Sequence, residues 1–122
     1  MSLPSKGNTK PQPHLPFVVK EIPLLEPKLK PQYIFRIKAN LSPRTTQGVL
    51  SDYHVYMSLN QQTAIFYLNT NNGYTKFQDN TLQDVHSVAN RLLTFYGGLK
   101  HCGASATDSN YRIVLNINYI PS

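Results

Sequence analysis

Between Tyr33 and Leu41 the chain alternates: Tyr33, Phe35, Ile37, Ala39 and Leu41 share one side, while Ile34, Arg36, Lys38 and Asn40 share the other. Successive side chains of an extended chain point to opposite faces, so this period-two spacing dictates a half-buried β-strand. The same pattern returns near the end, where Tyr111, Ile113, Leu115, Ile117 and Tyr119 alternate with Arg112, Val114, Asn116 and Asn118. Between these stretches, Tyr53, Val55, Met57 and Leu59 alternate with His54, Tyr56 and Ser58. Asn60-Gln61-Gln62-Thr63 then forms a turn into a third strand over 64–69, and 74–77 forms a short fourth. Asn71-Asn72-Gly73 predicts a tight hairpin between the last two, because Asn and Gly both tolerate φ > 0.

The spacing then changes. Leu82, Val85, Val88, Ala89, Leu92, Leu93 and Tyr96 make one helical stripe, with Gln83, Asp84, His86, Ser87, Asn90, Arg91 and Thr94 opposite. Asn80 is placed to cap the first turn, Gln83 to complete a capping box, and Gly97-Gly98 to provide the exit. The expected order is β-β-β-β-α-β. This is an α+β domain: an antiparallel sheet of four to five strands with one long helix packed on one face.

Proline divides the chain. Seven of nine prolines lie in residues 1–32, which predicts a Pro-rich basic N-terminal arm ahead of a single α+β domain over 33–122. Residues 1–14 read as a flexible tail, whereas Leu15–Leu25 is too apolar for a free linker and is suited to lie extended along the domain or a partner. Five Lys minus two Glu give +3 for 1–32, and seven Lys and Arg minus four Asp give +3 for 33–122, so the basicity is not confined to the arm. A formal charge of +6 attracts acidic partners such as nucleic acid or an anionic lipid surface. The first residues show no apolar signal-peptide core, and no apolar run approaches a membrane span, so the expectation is an intracellular (cytoplasmic, nuclear or virion-internal) protein with no membrane partner.

One helix covers only one face of a sheet. The other face would carry Ile34, Arg36, Lys38, Asn40, His54, Tyr56, Ser58, Arg112, Asn116 and Asn118, with no carboxylate. Cations that follow phosphates and rings that stack on bases are the components of a single-stranded DNA or RNA platform. The candidate nucleic-acid-binding residues are therefore Arg36, Lys38 and Arg112 for phosphate, with His54, Tyr56 and, in a less certain register, Tyr67 for bases. Two other readings use the same residues. Antiparallel sheets routinely keep a polar face in water. A small one-helix domain also needs more burial than one stripe supplies, and a homodimer or protein complex through the open face or the arm would provide it.

Catalytic chemistry has little to stand on. His101-Cys102 is the only meeting of two reactive side chains, and no acid is placed to orient the imidazole. The four histidines at 14, 54, 86 and 101 have no recognised metal-ligand spacing, so no cofactor or metal and no enzyme activity is expected. Cys102 is the only cysteine and forms no intrachain disulfide.

The β-β-β-β-α order of residues 33–96 is similar to the repeats of Whirly and positive-cofactor-type single-stranded-DNA-binding proteins. That resemblance is in element order and implies dimeric or oligomeric nucleic-acid binding. It assigns no residues, and the strand at 111–119 departs from the simple repeat.

Overall fold

Ala64-Ile65-Phe66-Tyr67 is a continuous run of aliphatic and aromatic residues, and with Thr63 before it all five residues are buried. A strand buried on both faces belongs in the middle of a sheet with material on each side. The computed structural model describes the backbone of residues 18–21 and residues 31–53 and 61–121 in full. In chain order the strands are β1 (Val18–Glu21), β2 (Pro31–Pro43), β3 (Gln62–Tyr67), β4 (Tyr74–Phe77), β5 (Val85–His86), β6 (Arg91–Tyr96), β7 (His101–Ala104) and β8 (Tyr111–Pro121). They form two antiparallel sheets, β1-β6-β3-β8-β2 and β5-β4-β7, with β3 at the centre of the larger one.

The main core lies between the sheets. Ile65 and Tyr67 of β3, Leu93 and Phe95 of β6 and Val114 of β8 meet Phe77 of β4, Val85 of β5 and Leu99. Phe95 stands edge-on to Phe77, with ring centroids 5.1 Å apart. A second cluster, Ala64, Phe66, Leu92, Ile117 and Tyr119, occupies the opposite face of the larger sheet.

The expected α+β class is overturned: among the described residues there is no helix, and residues 82–96 supply β5 and β6. Short apolar runs fit both periods, and here Leu93/Phe95 and Leu92/Thr94 fall on alternate faces of a strand paired with β3. The segment also contains Val85, Val88, Thr94, Phe95 and Tyr96, β-branched and aromatic types that suit a pleated surface. Asn90 has a φ of 70°, a left-handed conformation that no helix passes through. The expected cap is replaced too. Asp79, not Asn80, accepts from Thr81 N at 2.9 Å and from Thr81 Oγ1 at 2.6 Å, and Leu82 N closes a single turn on Asp79 O. Without the helix, the likeness in element order to the Whirly repeats has no counterpart in the structure.

The Asn71-Asn72-Gly73 hairpin is also corrected, since β3 and β4 belong to different sheets and the 68–73 connection crosses between them. Gly73 has no positive φ. It is required for room: a Cβ there would lie 2.5 Å from Arg112 Cδ and 2.7 Å from Ala104 O. The asparagines around it replace missing ladder bonds. Asn69 Oδ1 accepts from Ile113 N, Asn71 Oδ1 accepts from Gly73 N, and Asn72 Oδ1 accepts from Thr107 N.

β2 pairs with β8 from Pro31↔Pro121 to Pro43↔Tyr111, with a register shift between Ile34 and Arg36. That shift sets Ile34 opposite Tyr119, away from the face that carries Arg36↔Asn118, so the expected grouping of Ile34 with Arg36 does not hold. The proposed strand over 53–59, with His54 and Tyr56, lies outside the described residues from position 54 onward, as does most of the N-terminal arm.

Phe95 separates the strand from the helix experimentally, because it lies off the helical stripe but in the centre of the inter-sheet core. Phe95→Ala is expected to cost about 3–5 kcal/mol in urea unfolding. A loss under about 1 kcal/mol, as for an ordinary surface site, would contradict the strand assignment.

Candidate functional site

Register gathers the polar residues of β2 and β8. Arg36 stands opposite Asn118, Lys38 opposite Asn116, Asn40 opposite Val114 and Ser42 opposite Arg112. β3 extends the row with Thr63 beside Asn118 and Ile65 beside Asn116. Val114 and Ile65 belong to the inter-sheet core, so this is the face toward the smaller sheet. The expected arrangement, with the cationic face left bare, is therefore altered: β4, β5 and β7 cover part of it.

What remains between β2–β8 and β7 is a groove of about 780 Å³, within the range of roughly 300–1,000 Å³ usual for ligand clefts. Arg36, Lys38, Asn40, Arg112, Asn116 and Asn118 line one wall, and His101 to Ser105 with Thr45, Val49 and Ser51 line the other. Among these described lining residues there is no carboxylate. The outer wall is held by Thr45 N on Ala106 O, Ser51 N on Gly103 O and the 2.7 Å contact of the Thr45 and Ser105 hydroxyls.

Arg112 is the deepest cation, only 6% exposed. Its guanidinium carbon lies 5.8 Å from the centre of the Tyr67 ring, and its Nε donates to Ser87 Oγ at 3.0 Å. Two glycines admit it. Gly73 leaves space for Cδ, and a Cβ on Gly103 would stand 3.1 Å from a terminal guanidinium nitrogen. Burial lowers the Arg112 pKa, opposed by Tyr67, but arginine's intrinsic basicity keeps it charged. Among the described residues no carboxylate pairs with it. A buried charge without a counter-charge is costly, and an anion in the groove would lower that cost.

Tyr67 is fully enclosed, with its hydroxyl 2.6 Å from Thr75 Oγ1. Its ring supports Arg112 between the sheets and presents no face to a base. Of the remaining sequence candidates, Arg36, Lys38 and Arg112 come together in the groove, and His54 and Tyr56 are not described. Ser87, Gly73 and Gly103 were not linked to Arg112 by sequence. Ser87 fell on the polar side of the expected helix and Gly73 in the expected hairpin, and no spacing ties either, or Gly103, to position 112.

His101 and Cys102 are adjacent on β7, so their side chains leave opposite faces of the strand. The His101 ring packs on Phe95, and its Nδ1 lies 3.0 Å from Leu99 O, which makes Nδ1 the protonated nitrogen. Burial raises the Cys102 thiol pKa, partly offset by a hydrogen bond with Tyr53. The two side chains do not form a nucleophile–base pair. Among the described residues no three His, Cys, Asp or Glu side chains gather as metal ligands, and no helix is long and apolar enough to cross a membrane.

Over the described residues these features define an all-β, two-sheet arrangement with a cationic groove along one sheet face. No protein-family model, curated protein or solved structure matches the chain.

Burial pushes the phenols of Tyr67 and Tyr119 up to about 12. The fold therefore favours neutral phenol over the unfolded chain, whose tyrosines titrate near 10. Their contribution to stability is complete below about pH 10 and is lost as pH rises through about 12. In an absorbance titration, Tyr67 and Tyr119 should remain largely un-ionised at about pH 11, and Tyr67→Phe should remove one phenol from that late-titrating group. Co-titration of every tyrosine near 10 would contradict the buried placement.

Proposed function

We propose that the chain is a non-enzymatic binding protein that takes single-stranded nucleic acid through the groove between β2–β8 and β7. The observation that carries this reading is Arg112: a buried cation with no described carboxylate partner, lining the same groove as Arg36 and Lys38. Phosphate is the ligand class that meets several cations at regular spacing along an extended chain. Asn40, Asn116 and Asn118 add amide groups that donate to phosphate or sugar oxygens. The net charge of +6 supplies attraction at longer range.

The groove modifies the recognition expected from sequence. Its described lining includes no tyrosine or phenylalanine, and its one imidazole, His101, is buried against Phe95. Contact is then with the phosphodiester backbone, and base identity matters little.

A labelled oligonucleotide titrated at several salt concentrations tests this. With three phosphates neutralised by Arg36, Lys38 and Arg112, log affinity should fall against log salt with a slope of about −2. Lys38→Glu should weaken oligo-dA and oligo-dT binding alike and reduce the slope by about 1. Lack of binding at about 50 mM salt, or a strong preference for one base, would remove the reading.

A further inference from the structure

We infer that the chain forms a two-fold symmetric dimer in which β2 pairs antiparallel with β2 of a second copy, centred on Ala39. β2 is an edge of the five-stranded sheet, and among the described strands only β8 pairs with it. On its other side, alternate residues of this 13-residue strand direct peptide N–H and C=O groups away from β8, toward no described strand. Such a row is a template for one kind of partner, another extended chain. Protective devices for edges include short length, covering elements and charges on the exposed face. Here the terminal prolines and the two register shifts guard only the ends of the strand, and Arg36 and Lys38 lie on the groove face. The outward apolar row is exposed, Ile37 to 59% and Leu41 to 65%.

The strand's own pattern selects a second copy. With Ala39 opposite itself, Ile37 stands opposite Leu41, Lys38 opposite Asn40 and Arg36 opposite Ser42. Over the regular stretch 36–42, each apolar residue meets an apolar one and each cation meets a neutral polar side chain; the irregularity at Ile34/Arg36 lies outside it. Neighbouring registers lose this match. Centring on Ile37 sets Arg36 against Lys38, and centring on Lys38 sets that residue against itself; like charges directly across a ladder repel. Centring on Asn40 sets Arg36 against Arg44 and Ile37 against Pro43. A one-residue slip puts apolar side chains against polar ones on both faces. Pro43, which has no N–H to donate, falls at the end of the favoured pairing, where an edge tolerates it.

Pairing makes one continuous sheet from two. Arg36 and Lys38 of both copies then lie on the same face near the two-fold axis, and the two grooves adjoin across it. The dimer itself is independent of nucleic-acid binding and is tested without nucleic acid, so failure of either reading leaves the other intact.

The experiment is size-exclusion chromatography with light scattering on the full chain at about 100 µM, well above a micromolar dissociation constant. The expected mass is twice 13.8 kDa. Ile37→Lys/Leu41→Lys should give a monomer with an unchanged circular-dichroism spectrum, because both side chains are exposed. Ala39→Cys provides a second readout that leaves the apolar row intact. Directly opposed Cα atoms lie about 4.5–5.5 Å apart, within disulfide reach. Mild oxidation should therefore link Ala39→Cys but not Ser42→Cys, and the native Cys102 is buried and does not compete. A monomer at that concentration, a dimer that survives the double lysine variant, or equal cross-linking at both cysteine positions would each overturn the inference. If the lysine variant loses its spectrum, the cysteine pair decides alone.

Discussion

A guanidinium packed between two sheets sets the terms for this fold. Arg112 leaves β8 in the larger sheet, crosses above the Tyr67 ring and reaches Ser87 beyond β5. Arginine is suited to this position because its flat, weakly hydrated cation stacks on an aromatic face while its N–H groups remain directional. The contact determines what its neighbours are. A side chain at 73 would strike Cδ, and one at 103 would crowd a terminal nitrogen, so both walls of the slot are glycine. Tyr67 must be held still to act as a platform, and its hydroxyl is tied to Thr75 on β4. The smaller sheet thus approaches the larger one through a polar contact set beside the Phe77–Phe95 aromatic core.

The same contact explains why the groove is polar. A fully apolar interface would close both sheets together along their length. Asn116, Asn118, Lys38 and Arg36 follow Val114 and Ile65 along the same face, so the apolar seam ends and the cleft begins where they do. The row of cations on β2 and β8 faces a wall made of His101, Cys102, Gly103 and Ala104 of β7 and the following Ser105. Gly103 on that wall makes room for Arg112. Among the described lining residues that wall brings no carboxylate to the cations.

Strand alternation made β2 and β8 legible, and it also grouped Arg36, Lys38 and Arg112 on one face, because period two is unambiguous over a long stretch; β3 and β4 were placed by the turn residues beside them. Residues 82–96 failed for a physical reason. Seven apolar residues in fifteen positions fit a helical stripe, and the misfit was Phe95, a large apolar side chain left off it. Its position, together with β-branched Val85 and Val88, is the local sign of a strand, and the left-handed Asn90 that separates β5 from β6 cannot be read from composition. β7 was invisible because His101-Cys102-Gly103-Ala104 has neither alternation nor β propensity; the larger sheet and Arg112 determine it. Asn-Gly misled because a glycine chosen for backbone freedom and one chosen for lack of volume look the same in sequence.

Both surfaces discussed above belong to one strand. β2 turns Arg36, Lys38, Asn40 and Ser42 toward the groove and Ile37, Ala39 and Leu41 outward. The bulge at Ile34–Phe35 switches this parity at one end, moving Ile34 to the apolar side and confining the clean alternation to the part that follows. A long bare edge would ordinarily accept any extended chain. On β2 the cations restrict that acceptance, since a partner strand must place neutral residues across from positions 36 and 38. Residues 40 and 42 of the same strand meet that condition when the chain runs in reverse. Arg36 and Lys38 thus stand at the junction of the two surfaces, lining the groove with their side chains while their strand forms the sheet edge.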